Sequence, residues 1–309
     1  MFDRCKMLFN LIAAAGLCSG LAMAQNPGPP RALPGTLNYL EGSASIDGRT
    51  VAPGWVGSVR LQRNQVLETS QGRAEVLLTP GVFLRLNNNT AVRMLSPDLA
   101  DTTVEVVRGE AMVEVAELFK ENNLRVMVTG TSILLAKPGL YSFNADQPQI
   151  AVYEGEALVT AADHQVKVTK DHEAPLVGVV KANKFDHNRP HDALYAWSAL
   201  RSQYVAEASM QSARTLVAAG PGWGYGAGWY WNPWWDMYGF VPGYGVFYSP
   251  FGYPFYSPGF VYAAPYYGFR HGVAGYAGAS RTFGASRGFA TSPHFSGGGF
   301  AGGRGGGRR

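Results

Sequence analysis

From residue 36 to residue 180 apolar and polar positions alternate in short runs, the period of two that marks strands burying one face. Ala74, Val76 and Leu78 alternate with Glu75, Leu77 and Thr79, and Pro80-Gly81 then turns the chain into Val82-Phe83-Leu84-Arg85-Leu86. Asn87-Asn88-Asn89 supplies the next turn, because asparagine tolerates left-handed backbone angles and hydrogen-bonds to its own chain. The same grammar predicts strands over 104–107, 111–115 and 124–128, and over 140–143 after Pro138-Gly139. Residues 116–122 leave room for one or two helical turns at most. The expectation is an all-β domain over 36–180, built of stacked short strands in a β-solenoid or sandwich-like arrangement.

A weak internal repeat runs through this region. Glu41-Gly42-Ser43-Ala44-Ser45-Ile46 resembles Arg108-Gly109-Glu110-Ala111-Met112-Val113 and Glu154-Gly155-Glu156-Ala157-Leu158-Val159. In each, a glycine stands between a charged residue and an alternating strand, as a tight turn or bulge requires. The unequal spacings do not make a regular solenoid period.

The period changes once. Leu194, Trp197, Leu200, Arg201, Tyr204 and Ala208 recur at three or four residues and predict a helix over 186–219. Asn188 or Asp192 is placed to cap its start and Gly220-Pro221 to stop it. Its stripe is expected to pack on the β domain with Trp197 as anchor, a partner-binding helix being the alternative. From Gly220 onward the pattern breaks down. That stretch holds 26 of the 39 Phe, Trp and Tyr residues and 24 of the 39 glycines, in runs such as Trp229-Tyr230-Trp231-Asn232-Pro233-Trp234-Trp235. Glycine and proline at this density oppose helix and long strand, so residues 220–309 are expected to be a mostly disordered, low-complexity aromatic tail. Trp223, Trp229, Trp231, Trp234 and Trp235 are its candidate partner contacts.

The other end predicts export. Arg4 and Lys6 precede an apolar run over 7–17 and the small-x-small Ala22-Met23-Ala24, the order of a signal peptide over 1–24 followed by a proline-rich linker over 25–35. Both cysteines, Cys5 and Cys18, fall within the predicted signal, so the mature chain is expected to hold no disulfide and no cysteine metal site. Leu17 stands where a lipid-attachment box wants Gly or Ala, which favours soluble export to the periplasm or medium of a Gram-negative-type bacterium. Charge divides with the pattern: six arginines face the single Asp236 after Gly220, and the stretch before it is mildly acidic.

Little of this is catalytic. Asp186-His187 and His191-Asp192 are the one compact ligand-like group, but Pro190 interrupts the helix that would align the two histidines, and the bland reading is a loop or cap. Ser43, Ser45 and Ser132 sit in turns, and no nucleophile elbow or phosphate loop occurs. No catalytic residue, cofactor or metal site is predicted, and the chain is read as a non-enzyme. Gly302-Gly303-Arg304-Gly305 is similar to segments that bind nucleic acid, a partner that export disfavours.

The sequence of features, Glu-Gly-Ser-Ala-x-Ile, then Gly72-Arg73-Ala74-Glu75-Val76-Leu77-Leu78, a Thr-Pro-Gly turn, an Asn-Thr corner, Gly109-Glu110-Ala111 and finally Val152-Tyr153-Glu154-Gly155-Glu156-Ala157, resembles the FecR-type domain of ferric-citrate regulators over roughly 36–170. That resemblance implies a periplasmic sensing domain and brings no catalytic residue. Regulators of this type also carry an anti-sigma segment, a membrane helix and a receptor-contacting module, which are not read here, and Gly139-Leu140-Tyr141 departs from the usual Gly-Thr-aromatic opening. The reading is therefore an exported binding or scaffolding protein whose partners are envelope proteins or polysaccharide, with a sensing or receptor-docking component of a FecR-type pathway as the alternative.

Overall fold

The computed structural model describes residues 31–161, 164–185, 192–220 and 226–263. The chain first builds β1 (Leu37–Ile46), β2 (Arg49–Thr50), β3 (Val66–Leu77), β4 (Val82–Leu86), β5 (Ala91–Asp98), β6 (Asp101–Arg108) and β7 (Glu110–Val115). There follow β8 (Asn123–Val128), β9 (Thr131–Leu135), β10 (Gly139–Asn144), β11 (Gln149–Glu154), β12 (Glu156–Ala161), β13 (His164–Thr169), β14 (His172–Pro175) and β15 (Asn183–Lys184). These strands form one sheet with two arms: β13-β12-β9-β8-β6-β5 on one side of β3 and β4-β7-β10-β11-β14-β15 on the other. Pairing is antiparallel throughout except between β6 and β8, where Asp101 to Val106 run parallel to Asn123 to Val128.

Strand β3 is the hinge of this arrangement. Residues 66–68 pair with β5, whereas Ala74 to Leu77 pair with β4. β1 follows β3 through the bend, with a register irregularity between Gly42 and Ala44. A side chain on Gly42 would meet the Gln71 carbonyl at 2.1 Å, and one on Gly72 would meet the Glu41 carbonyl at 2.3 Å, so only a glycine pair lets the two backbones cross here. The glycines of the internal repeat all carry left-handed backbone angles, +71° at Gly42, +76° at Gly109 and +100° at Gly155. Folded at the bend, the arms enclose the main core: Leu84, Val113, Tyr141 and Val152 from one arm meet Val104, Val126, Ile133 and Val159 from the other. Full burial of such aliphatic side chains contributes about 1.5–3 kcal/mol each.

The outer face of the second arm is buried too, which alternation alone does not predict. Helix α1 (Ala193–Ala218) begins at an Asp192 cap whose carboxylate accepts the Tyr195 N–H at 2.7 Å. Residues 186–191, part of the helix expected from the sequence, lie outside the described residues. Leu194, Trp197, Arg201 and Ala208 face inward as the spacing implies, but Leu200 is exposed. Ser198, Ser202, Val205, Ala206, Ser209, Ser212 and Ala213 complete the buried stripe, so small residues, four of them serines, make up most of the seam.

Those small residues make room for strands in a segment expected to be disordered. Residues 226–263 are folded: β16 (Gly228–Asn232) pairs with β17 (Met237–Val241), and β18 (Val246–Tyr248) with β19 (Pro254–Tyr256). The first hairpin alternates faces. Gly239 lies against α1 so closely that a Cβ would stand 2.7 Å from the Ser209 nitrogen, while Trp229, Tyr238 and Phe240 reach toward the β domain and join Leu77 and Phe83. Glycine here permits a close helix contact instead of preventing order, and the neighbouring aromatics supply the core that keeps the hairpin folded. Residues 264–309 and the predicted signal over 1–24 lie outside the described residues.

Candidate functional site

The outer face of the second arm carries charge in its middle. Glu75, Arg85 and Glu114 alternate outward on β3, β4 and β7, and α1 lowers Arg201 onto them. Arg85 donates to Glu75 at 2.8 Å and also to Glu114, while Arg201 donates to the second Glu75 oxygen at 3.0 Å. Ser202 donates to Glu114 at 2.8 Å. The Arg201 guanidinium lies 3.8 Å from the centroid of the Tyr39 ring. Burial alone would push both carboxyls up. The Arg201 and Arg85 guanidiniums overcome it at Glu75 and hold that carboxyl below its ordinary range, whereas Arg85 and Ser202 offset it incompletely at Glu114, which stays raised. Buried and fully enclosed, the cluster is an internal clamp between sheet and helix. It offers no access to a ligand.

A second tie crosses from β1 to β17. Asn38 donates to Glu75 at 2.9 Å and to the Tyr238 carbonyl at 3.1 Å, and its Oδ1 accepts the Tyr238 N–H at 2.7 Å. The aromatic hairpin is thereby joined to the ion cluster by both backbone groups of one residue.

The five tryptophans proposed as contacts separate by position. Trp229 is only 9% exposed, edge-on to Phe83 at 5.1 Å and to Phe240 at 5.9 Å, so its ring is core and cannot present a contact face. Trp231 is half-buried against Tyr238 at 5.1 Å and covers Gly57. Trp223 lies outside the described residues. Trp234 and Trp235 remain together at the β16–β17 turn: Trp235 leans on Tyr204 with ring centroids 5.6 Å apart, and Trp234 is 88% exposed.

These two indoles border an open groove of about 600 Å³ whose other wall is Gln211, Arg214 and Thr215 of α1. Asn232, absent from the sequence-derived candidates, organises both walls. Its Oδ1 accepts the N–H groups of Trp234 at 3.0 Å and Trp235 at 3.3 Å, an Asx turn that fixes the backbone beneath the rings. Its Nδ2 donates to the Ala208 carbonyl at 3.0 Å and to Gln211 Oε1 at 3.3 Å, which anchors the turn to the helix and orients the Gln211 amide. The Asn232-Pro233 pair was the one signal of this turn in the sequence; Gln211 and Thr215 carried none.

Among the described residues there is no group of three or more His, Cys, Asp or Glu able to hold a metal ion, and no helix long and apolar enough to cross a membrane. The pair His187 and His191 lies outside those residues.

The architecture defines an all-β domain of two layers, not a closed barrel, covered on one face by a single helix and aromatic hairpins. Residues 65–158, at its centre, match the family model described as FecR protein. Two crystal structures of a candidate anti-sigma factor from Parabacteroides distasonis ATCC 8503 also match. One is 15% identical with a TM-score of 0.36, covering 44% of this chain and 64% of that one, less than two thirds of its length. The other is 14% identical with a TM-score of 0.35, covering 48% and 72% respectively. At that similarity they add nothing to the match with the family model. No curated protein matches the chain.

Proposed function

We propose that the protein is an exported, non-enzymatic binding or scaffolding component of the bacterial envelope, in which the FecR-containing domain is the frame and the Trp234–Trp235 turn the contact surface. The observation that carries this reading is the division of labour among aromatics on one hairpin. Trp229, Tyr238 and Phe240 are spent on the core, while Trp234 is held out over the groove by a hydrogen bond beneath it. A large apolar ring fixed in water by a buried asparagine has no packing role and fits a binding role. The basic, apolar and small-x-small order over 1–24 supports export.

Co-sedimentation of the purified full chain with envelope fragments tests this. The protein is expected to pellet with them, and Trp234→Ala is expected to abolish most of that association with an unchanged melting temperature. Equal pelleting of the two proteins would overturn the assignment of the contact surface. The FecR match over 65–158 favours a second reading, a component of FecR-type regulatory signalling docking through the β domain. That partner would be retained by Trp234→Ala.

A further inference from the structure

We propose that the Trp234–Trp235 groove is a subsite for a chain of β-1,4-linked pyranose sugars. The inference deepens the binding reading above and rests on it.

The groove is not uniformly apolar, and its polar groups are committed in complementary senses. Gln211 Oε1 is engaged by Asn232 Nδ2 at 3.3 Å, which fixes the amide and leaves its Nε2 without a hydrogen bond among the described residues. Thr215 Oγ1 donates its proton to the Gln211 carbonyl at 3.1 Å, so toward a ligand this hydroxyl acts as an acceptor. Gln211 and Thr215 are four residues apart and therefore neighbours on one helix face. The wall thus offers a donor and an acceptor side by side, the pair a sugar hydroxyl satisfies by acting as both. Opposite it, the exposed face of Trp234 is a flat apolar surface matching the axial C–H face of a pyranose ring.

The occupant follows from this combination. A lipid tail would leave the Gln211 amide and Thr215 oxygen unpaired, which is unfavourable in a covered site. A polyanion would seek a cationic cluster, and Arg214 is the one cation in the lining. A β-1,4-linked pyranose chain is amphipathic in the required way, with apolar faces and equatorial hydroxyl edges. The volume, about 600 Å³, lies within the range of ordinary small-molecule sites, roughly 300–1,000 Å³. The groove is open to solvent, so a sugar unit has access to it.

The test is titration of the full-length protein with cellohexaose and with the hexamer of N-acetylglucosamine, read by calorimetry and by indole fluorescence. At least one is expected to bind with a blue shift of emission. Trp234→Ala should weaken binding at least tenfold and Gln211→Ala about three- to tenfold, while Tyr262→Ala, another exposed aromatic, should leave it unchanged. Absence of binding by the unmodified protein to both hexamers at 1 mM would overturn the proposal, as would equal binding by Trp234→Ala. The envelope sedimentation run in parallel separates two failures. If Trp234→Ala still loses envelope association but no hexamer binds, the sugar assignment falls and the contact surface stands. If neither assay responds to the substitution, both fall.

Discussion

Replacing Arg201 by Met should cost roughly 3–5 kcal/mol in urea unfolding, because it leaves the Glu75 carboxylate buried with one of its two guanidinium partners gone. Arg201→Lys should recover only part of that loss, since an ammonium keeps the charge but not the flat stacking on Tyr39. Glu117 behaves in the opposite way. Its residue is 7% exposed, its Oε2 has no hydrogen-bond partner, and burial pushes its carboxyl up to about 7 from an ordinary 4.5. Between those values the folded protein holds a proton that the unfolded chain has released, so stability falls as pH rises from about 4.5 to about 7. Glu117→Gln should remove that dependence and raise stability at pH 8 by roughly 1–2 kcal/mol, with little change at pH 4, in melting curves across pH. Neither group was legible beforehand. Glu75 and Arg85 read as the solvent side of alternating strands, and only a covering element 126 residues further along, in the case of Arg201 and Glu75, turns that side into an interior.

At the scale of elements, the contact between α1 and β17 depends on one missing side chain. Gly239→Ala should cost about 1–3 kcal/mol, because the added carbon would stand 2.7 Å from the Ser209 nitrogen and 2.8 Å from its Cα, which are backbone atoms that cannot swing aside. Gly259→Ala is the control: its Cβ meets nothing within 4 Å, and thermal unfolding should shift little or slightly upward. The strands of the β domain were legible because turn residues punctuate them and one period runs through each. The repeat glycines were legible because a left-handed turn selects that residue. The hairpin β16–β17 was not. Its alternation, visible in Tyr238-Gly239-Phe240, was masked by a density of glycine and proline that normally signals disorder, and the helix spacing counted Leu200 as apolar surface without showing that serines would line the seam.

For the molecule as a whole, the β domain and its cover share the core on the outer face of the second arm. Ending the chain after Ala219 would uncover Leu77, Phe83 and Ala116, so that fragment should bind a hydrophobic dye and aggregate, whereas a chain ending after Ala263 keeps those residues covered and should do neither. The frame of the candidate site was readable from the sequence as far as its tryptophans. Which of them face water was not, because that depends on how a hairpin is sandwiched between two other elements. The bond between Asn38 and Tyr238 carries this interdependence into time, for it joins residues 200 positions apart. During synthesis the first strand emerges long before its partner exists, and Asn38 must wait with its amide solvated while the intervening sheet assembles. The aromatic hairpin therefore seats on Asn38 only after the sheet and helix that separate the two in sequence have been made.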